Sequence, residues 1–99
     1  MHGTADIVVP YGGSFLFGYV SVEESVGGWV ERNRCTGGPR TEQTASDTRC
    51  ETWDACAAGA EVTLCTIEGG PHEWPGQPGS TADVDATELA WSFLSRFQL

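Results

Sequence analysis

Two residues of this chain are suited to proton transfer, and each lies in a distinctive setting. Asp6 falls in His2-Gly3-Thr4-Ala5-Asp6-Ile7-Val8-Val9-Pro10-Tyr11, and His72 in Glu68-Gly69-Gly70-Pro71-His72-Glu73-Trp74-Pro75-Gly76. An imidazole works as a general base when a buried carboxylate fixes its tautomer and stabilises its cation. Asp6 and His72 supply that pair. The third member, a nucleophile, is not evident. No Gly-x-Ser-x-Gly occurs, and Ser14, beside Gly12-Gly13, lacks the strand-turn-helix pattern that presents a nucleophilic serine.

Each residue also has a plainer reading. Asp6 alone is a turn former in a turn-rich run, and His72 alone is a surface-loop histidine. The two blocks together favour acid and base, with glycines that let the backbone turn sharply at His72. His2 reads as a hydrogen-bonding residue beside a strand end. The spacing of His2, Asp6 and His72 does not require a metal, so no metal or other cofactor is expected. Tyr11 and Trp74 are candidates to line an aromatic acyl or polyester pocket, with packing a close alternative. Trp29, Trp53 and Trp91 read most simply as core residues.

The elements that must position these groups are partly legible. Residues 2–20 read as a loop following a strand that is missing, with Phe15-Leu16-Phe17 as a buried patch. Ser21-Val22-Glu23-Glu24 matches a capping box. Val22, Val26, Trp29 and Val30 then form one apolar helical stripe, ending near Asn33. Residues 36–48 are polar and unpatterned, and read as a surface loop. Residues 49–54 alternate weakly, and residues 61–67 form a better strand, rich in β-branched side chains. That strand runs into Gly69-Gly70-Pro71-His72, so the histidine is expected at its C-terminal end. Asp85-Ala86-Thr87-Glu88 opens a second helix, with Leu89, Ala90, Phe93, Leu94 and Phe97 on one stripe.

Ninety-nine residues form one small domain with limited capacity for a core, and 13 glycines imply many turns. The net charge of −9 arises from 14 acidic and 5 basic residues, all the latter arginine. No basic cluster exists to engage nucleic acid or an anionic membrane, and no apolar run approaches a membrane span. Four cysteines, Cys35, Cys50, Cys56 and Cys65, lack the paired spacing of a zinc site. In a lysine-free, acidic chain they fit disulfides and an extracellular protein. Three pairings exist. If residues 49–54 and 61–67 form an antiparallel hairpin, Cys50 faces Cys65, which leaves Cys35 with Cys56. Such a bridge, closing a loop of roughly 20 residues, is worth ~3 kcal/mol.

The two blocks, in this order, resemble the α/β-hydrolase esterases that include polyhydroxybutyrate depolymerases and feruloyl esterases. His2 to Tyr11 matches the block holding that family's triad aspartate. Gly69 to Gly76 matches the block holding its triad histidine, with Pro71 where the family often has a further glycine. The helix ending Trp29-Val30-Glu31-Arg32-Asn33-Arg34-Cys35 and the closing helix from Asp85 to Phe93 are similar too. The resemblance implies an α/β fold: the C-terminal part of an α/β-hydrolase, with two helices, a strand pair and long loops, its nucleophile half missing. Residues 1–99 would be a single partial domain of a longer protein, because His2-Gly3 follows Met1 with no room for a strand.

The resemblance further implies a secreted parent enzyme that cleaves carboxylic esters, polyhydroxyalkanoate or feruloyl and acetyl esters of plant cell wall, without a cofactor. The isolated chain is expected to be inactive, and to self-associate or dock to the missing N-terminal part. The alternative is a non-catalytic, disulfide-stapled binding module, or a complementing subunit, on the same scaffold.

Overall fold

The computed structural model describes residues 1–98; Leu99, the last residue of the expected 1–99 domain, lies outside the described residues. In chain order the elements are β1 (His2–Gly3), α1 (Val22–Arg32), β2 (Arg40–Ala45), β3 (Thr48–Trp53), a 3-10 turn (Ala57–Gly59), β4 (Val62–Ile67) and α2 (Ala86–Leu94). The strands form one sheet in the order β1-β4-β3-β2. β2, β3 and β4 are a meander of antiparallel hairpins, whereas β1 runs parallel to β4, with His2 opposite Thr66 and Gly3 opposite Ile67. The result is a small mixed α/β domain with four strands and two helices.

Both helices begin where their caps place them. The Ser21 hydroxyl accepts the backbone N–H of Glu24 at 3.0 Å, and Asn33 closes α1. The Asp85 carboxylate accepts the N–H groups of Thr87 and Glu88 at 2.9 and 3.1 Å. Each cap satisfies first-turn donors that have no partner inside the helix. At the far end of α2, Arg96 forms a bidentate pair with Glu61 at the entrance of β4.

Three expectations are corrected here. Residues 2–20, read from sequence as a loop that follows a missing strand, themselves begin with a strand, because His2 and Gly3 pair with β4 as β1. Residues 40–45, read from sequence as loop, form the edge strand β2. Five of its six residues are exposed; wet on both faces, it had no reason to alternate apolar and polar residues. The expected strand pair is therefore part of a four-stranded sheet. Phe15-Leu16-Phe17, read as a buried patch, is the opposite: these residues are 105%, 83% and 70% exposed. They form the tip of a short hairpin closed by reciprocal backbone bonds between Ser14 and Tyr19, each 2.9 Å. Glycine at position 18, with φ +72°, takes the left-handed conformation this turn requires.

The core is small. Cys50, Leu64, Cys65, Ile67, Val84 and Ala86 are its buried apolar residues, joined by the buried threonines 48, 52 and 66. Thr52 and Thr63, directly opposed on β3 and β4, share a hydroxyl hydrogen bond of 3.0 Å. α1 buries no residue and α2 buries only Ala86. Trp29 and Trp91, expected in the core, are mostly exposed, and Trp53 is half-buried. A cavity of about 570 Å³ separates Leu89, Phe93 and Leu94 of α2 from Cys50, Thr52 and Cys65 of the sheet. The apolar stripes read from the helices are therefore left largely uncovered, with Trp29, Leu94 and Phe97 exposed.

Disulfides join Cys35 to Cys56 and Cys50 to Cys65. The first ties the exit of α1 to the loop between β3 and β4. The second links directly opposed positions of β3 and β4 and is buried.

Candidate acid–base site

The site is built at the C-terminal ends of the two parallel strands. β1 delivers Thr4 to Asp6 and β4 delivers Glu68 to His72, and the two loops are laced together. Thr4 donates its backbone N–H to the carbonyl of Ile67 at 2.9 Å, and Ala5 donates to Gly70 at 3.0 Å. The Thr4 hydroxyl accepts the N–H of Gly69 at 2.8 Å. This approach depends on two glycines. A Cβ on Gly3 would stand 2.1 Å from the carbonyl oxygen of Gly70, and a Cβ on Gly70 would meet Ile67 at 2.9 Å. Gly3→Ala is therefore expected to force the loops apart and to destabilise the chain by about 1–3 kcal/mol, as overpacking does. Urea unfolding checks this; a variant as stable as the parent would contradict the close approach.

Asp6 is held on all sides. Its Oδ1 accepts the backbone N–H groups of Val8 and Val9 at 2.9 and 2.8 Å. Its Oδ2 lies 2.9 Å from Nδ1 of His72. The Asp6 side chain is 6% exposed and that of His72 is 53% exposed, so a buried carboxylate orients a largely open imidazole. A carboxylate accepts hydrogen at this position, so His72 carries hydrogen on Nδ1 and leaves Nε2 able to take a proton.

Burial alone would push the Asp6 carboxyl upward. The N–H of Val9, the His72 hydrogen bond and the N–H of Val8 outweigh it, and hold the group below its ordinary value of 3.8. A carboxyl lowered by folding stabilises the fold above its ordinary value, and that contribution disappears as pH falls through the lowered one. The stability gap between the parent chain and Asp6→Asn is thus expected to shrink from about pH 3.8 downward. Urea unfolding across acidic pH measures it; a gap that widens in acid would contradict the lowered carboxyl.

A cavity of about 200 Å³ borders the pair, and Asp6, His72, Gly70, Glu73 and His2 are among its lining residues. No serine, threonine or cysteine lines it. Ser14 is committed elsewhere: its hydroxyl accepts the N–H of Phe17 at 3.3 Å, in the exposed hairpin. Tyr11 and Trp74 do not line this cavity either. The Tyr11 hydroxyl pairs with that of Thr66 at 3.0 Å, and Trp74 donates its indole N–H to the Thr87 hydroxyl at 2.9 Å, at the start of α2. His2, read from sequence as a hydrogen-bonding residue beside a strand end, comes within 3.4 Å of the Asp6 carboxylate. Among the described residues, no group of three or more His, Cys, Asp or Glu side chains could hold a metal ion. No described helix is long and apolar enough to cross a membrane.

The chain is similar to feruloyl esterase B of Piromyces equi, with 31% identity over 104 residues. The match covers 98% of this chain and 17% of that protein, so the chain spans about a sixth of its relative. This is a distant likeness to an esterase. No family profile matches the chain, and no solved structure matches it.

Proposed function

We propose that this chain is the acid- and base-bearing C-terminal part of a secreted serine esterase of the α/β-hydrolase fold, with Asp6 as the triad acid and His72 as the base. The observation that carries this reading is the Asp6–His72 hydrogen bond, made by a buried carboxylate to an open imidazole at the ends of two parallel strands. Active sites of open α/β sheets lie at that edge. The distant likeness to a feruloyl esterase supports ester hydrolysis, and the two disulfides are compatible with an extracellular protein.

In this reading His72 Nε2 takes the proton of a serine supplied by chain outside these residues, as the serine oxygen attacks the ester carbonyl. The Nδ1–H bond to Asp6 keeps the tautomer correct and stabilises the imidazolium. The same proton then goes to the leaving alkoxide, and an acyl-enzyme remains. His72 next removes a proton from water, whose oxygen attacks the acyl carbon; the acid leaves and the serine regains its proton. Feruloyl esters are the substrate class nearest to the relative, with acetyl esters and polyhydroxyalkanoates as further members of the proposal. The exposed Phe15-Leu16-Phe17 hairpin, Trp29, Trp91 and the open space beneath α2 support further chain packing here, since patches of this kind mark contact surfaces.

The expected result for the 99-residue chain alone is no enzyme-like hydrolysis of short nitrophenyl esters. Rapid hydrolysis that His72→Ala abolishes would overturn the division of the triad between this chain and a missing part. A second reading, a disulfide-stapled binding module, is favoured by the two disulfides and by the fact that no buried side-chain polar atom among the described residues lacks a partner. Cooperative unfolding of the isolated chain as a monomer would support it.

A further inference from the structure

The Asp6 carboxylate faces a second imidazole. His2 projects from β1 with its side chain 21% exposed, and its Nε2 lies 2.7 Å from the Val9 carbonyl and 3.4 Å from Asp6 Oδ2. A carbonyl only accepts, so the His2 hydrogen sits on Nε2. That N–H points to Val9 while standing next to the same carboxylate oxygen that receives His72 Nδ1–H. We infer that His2 is a positioning residue for the acid–base pair, acting through Asp6 and the Asp6–Val9 turn. This inference rests on the reading of Asp6 and His72 as acid and base.

Two links make the case. Val9 is gripped at both ends: its carbonyl by His2 and its N–H by Asp6 Oδ1 at 2.8 Å. Releasing the carbonyl lets the turn relax and withdraws a donor from Oδ1, so the carboxylate can rotate away from His72. The His2 ring is itself fixed. It stands edge-on to Tyr11, with ring centroids 5.8 Å apart and planes at 79°, and the Tyr11 hydroxyl is pinned to the fully buried Thr66 on β4. β4 is also the strand that delivers His72. The orientations of acid and base are thereby referred to one strand. Tyr11, whose side chain does not reach the cavity, acquires a role in this chain of contacts.

The test uses the 99-residue chain labelled with nitrogen-15, at mildly alkaline pH, and reads imidazole tautomers from long-range proton–nitrogen spectra. The parent chain is expected to show hydrogen on Nε2 of His2 and on Nδ1 of His72. In His2→Ala, His72 is expected to lose its single tautomer and become a mixture, while the backbone spectrum stays folded. His2→Gln, whose amide can still donate to Val9, is expected to restore the Nδ1–H form. His72 unchanged in a folded His2→Ala chain would overturn the inference. If His2→Ala does not fold, His2→Gln decides: a folded chain with His72 on Nδ1–H supports the inference, and a mixture overturns it. The spectra do not depend on a nucleophile. Failure of the esterase reading would instead appear as a fall of less than tenfold in ester hydrolysis for His72→Ala of a longer protein carrying this segment, with the tautomer result on the 99-residue chain standing.

Discussion

Under the proposed function, replacing His72 with alanine in an esterase that carries this segment is expected to lower kcat for ester hydrolysis by about 10⁴-fold or more, with KM little changed. The magnitude follows from the way triad members act as a unit, so that losing one forfeits most of what the set achieves. KM is spared because the imidazole binds protons rather than substrate. Asp6→Asn is expected to cost a comparable ~10⁴-fold, since an amide presents hydrogen where the carboxylate accepts it and favours the wrong tautomer. The two losses should not add: once the imidazole is gone, the carboxylate has nothing to orient. Steady-state kinetics of the single and double variants measures this. A fall of less than tenfold in His72→Ala, or additive losses, would contradict the proposed roles.

The second large effect concerns stability. Removing the Cys50–Cys65 bond by alanine substitution at both positions is expected to lower stability by ~3 kcal/mol, from a closed loop of 15 residues. The Cys35–Cys56 bond closes 21 residues, and the same logic gives it ~3 kcal/mol. The two loops overlap in sequence, so the combined loss should fall short of the sum. For a chain with so few buried apolar side chains, ~3 kcal/mol is a large share of a total of about 5–15 kcal/mol. It corresponds to a fall in Tm of roughly 12–24 °C at this size. Calorimetry of each pair of variants gives the answer. Reduction should begin at Cys35–Cys56, which is half-buried, before Cys50–Cys65, which is covered. A change in Tm of only a few degrees for either pair would mean that the sheet holds without its bridges.

The sequence carried the local signals well and the environment of the apolar residues poorly. Ser21 and Asp85 marked the helix starts because a cap is a local hydrogen bond, readable from a few neighbouring residues. The strand at residues 61–67 was visible in its β-branched run, and its exit into Gly69-Gly70 gave the position of His72. The pairing of Cys50 with Cys65 was legible only on the condition of a hairpin, and the register of β3 against β4 meets that condition. β2 was not legible, because an edge strand exposed on both faces has no apolar period to read. The fate of Phe15, Leu16, Phe17, Trp29 and Trp91 was not legible either. Burial is a property of what lies opposite, and no local pattern reports that.

The candidate site shows the same division. Asp6 and His72 stood out by residue type and setting, although separated by most of the chain. The parallel pairing of β1 with β4 that joins them is only two residues long, too short to leave a pattern. The carboxylate contact of His2 was also hidden, because it arises from the fold of the Asp6–Val9 turn. Tyr11 and Trp74 carried the right chemistry for a pocket, but their polar atoms are engaged by Thr66 and Thr87. An aromatic residue with a polar tip serves packing and binding equally well in sequence.

In the proposed reading, this chain brings the acid and base of a serine esterase to a nucleophile encoded elsewhere in the same protein. The nucleotide sequence upstream of the Met1 codon, read in frame, decides between this reading and a stand-alone module. The expected result is an uninterrupted frame encoding a strand, a Gly-x-Ser-x-Gly elbow and a following helix. A stop codon in frame immediately before Met1 would contradict the claim and bring the stand-alone binding module to the fore.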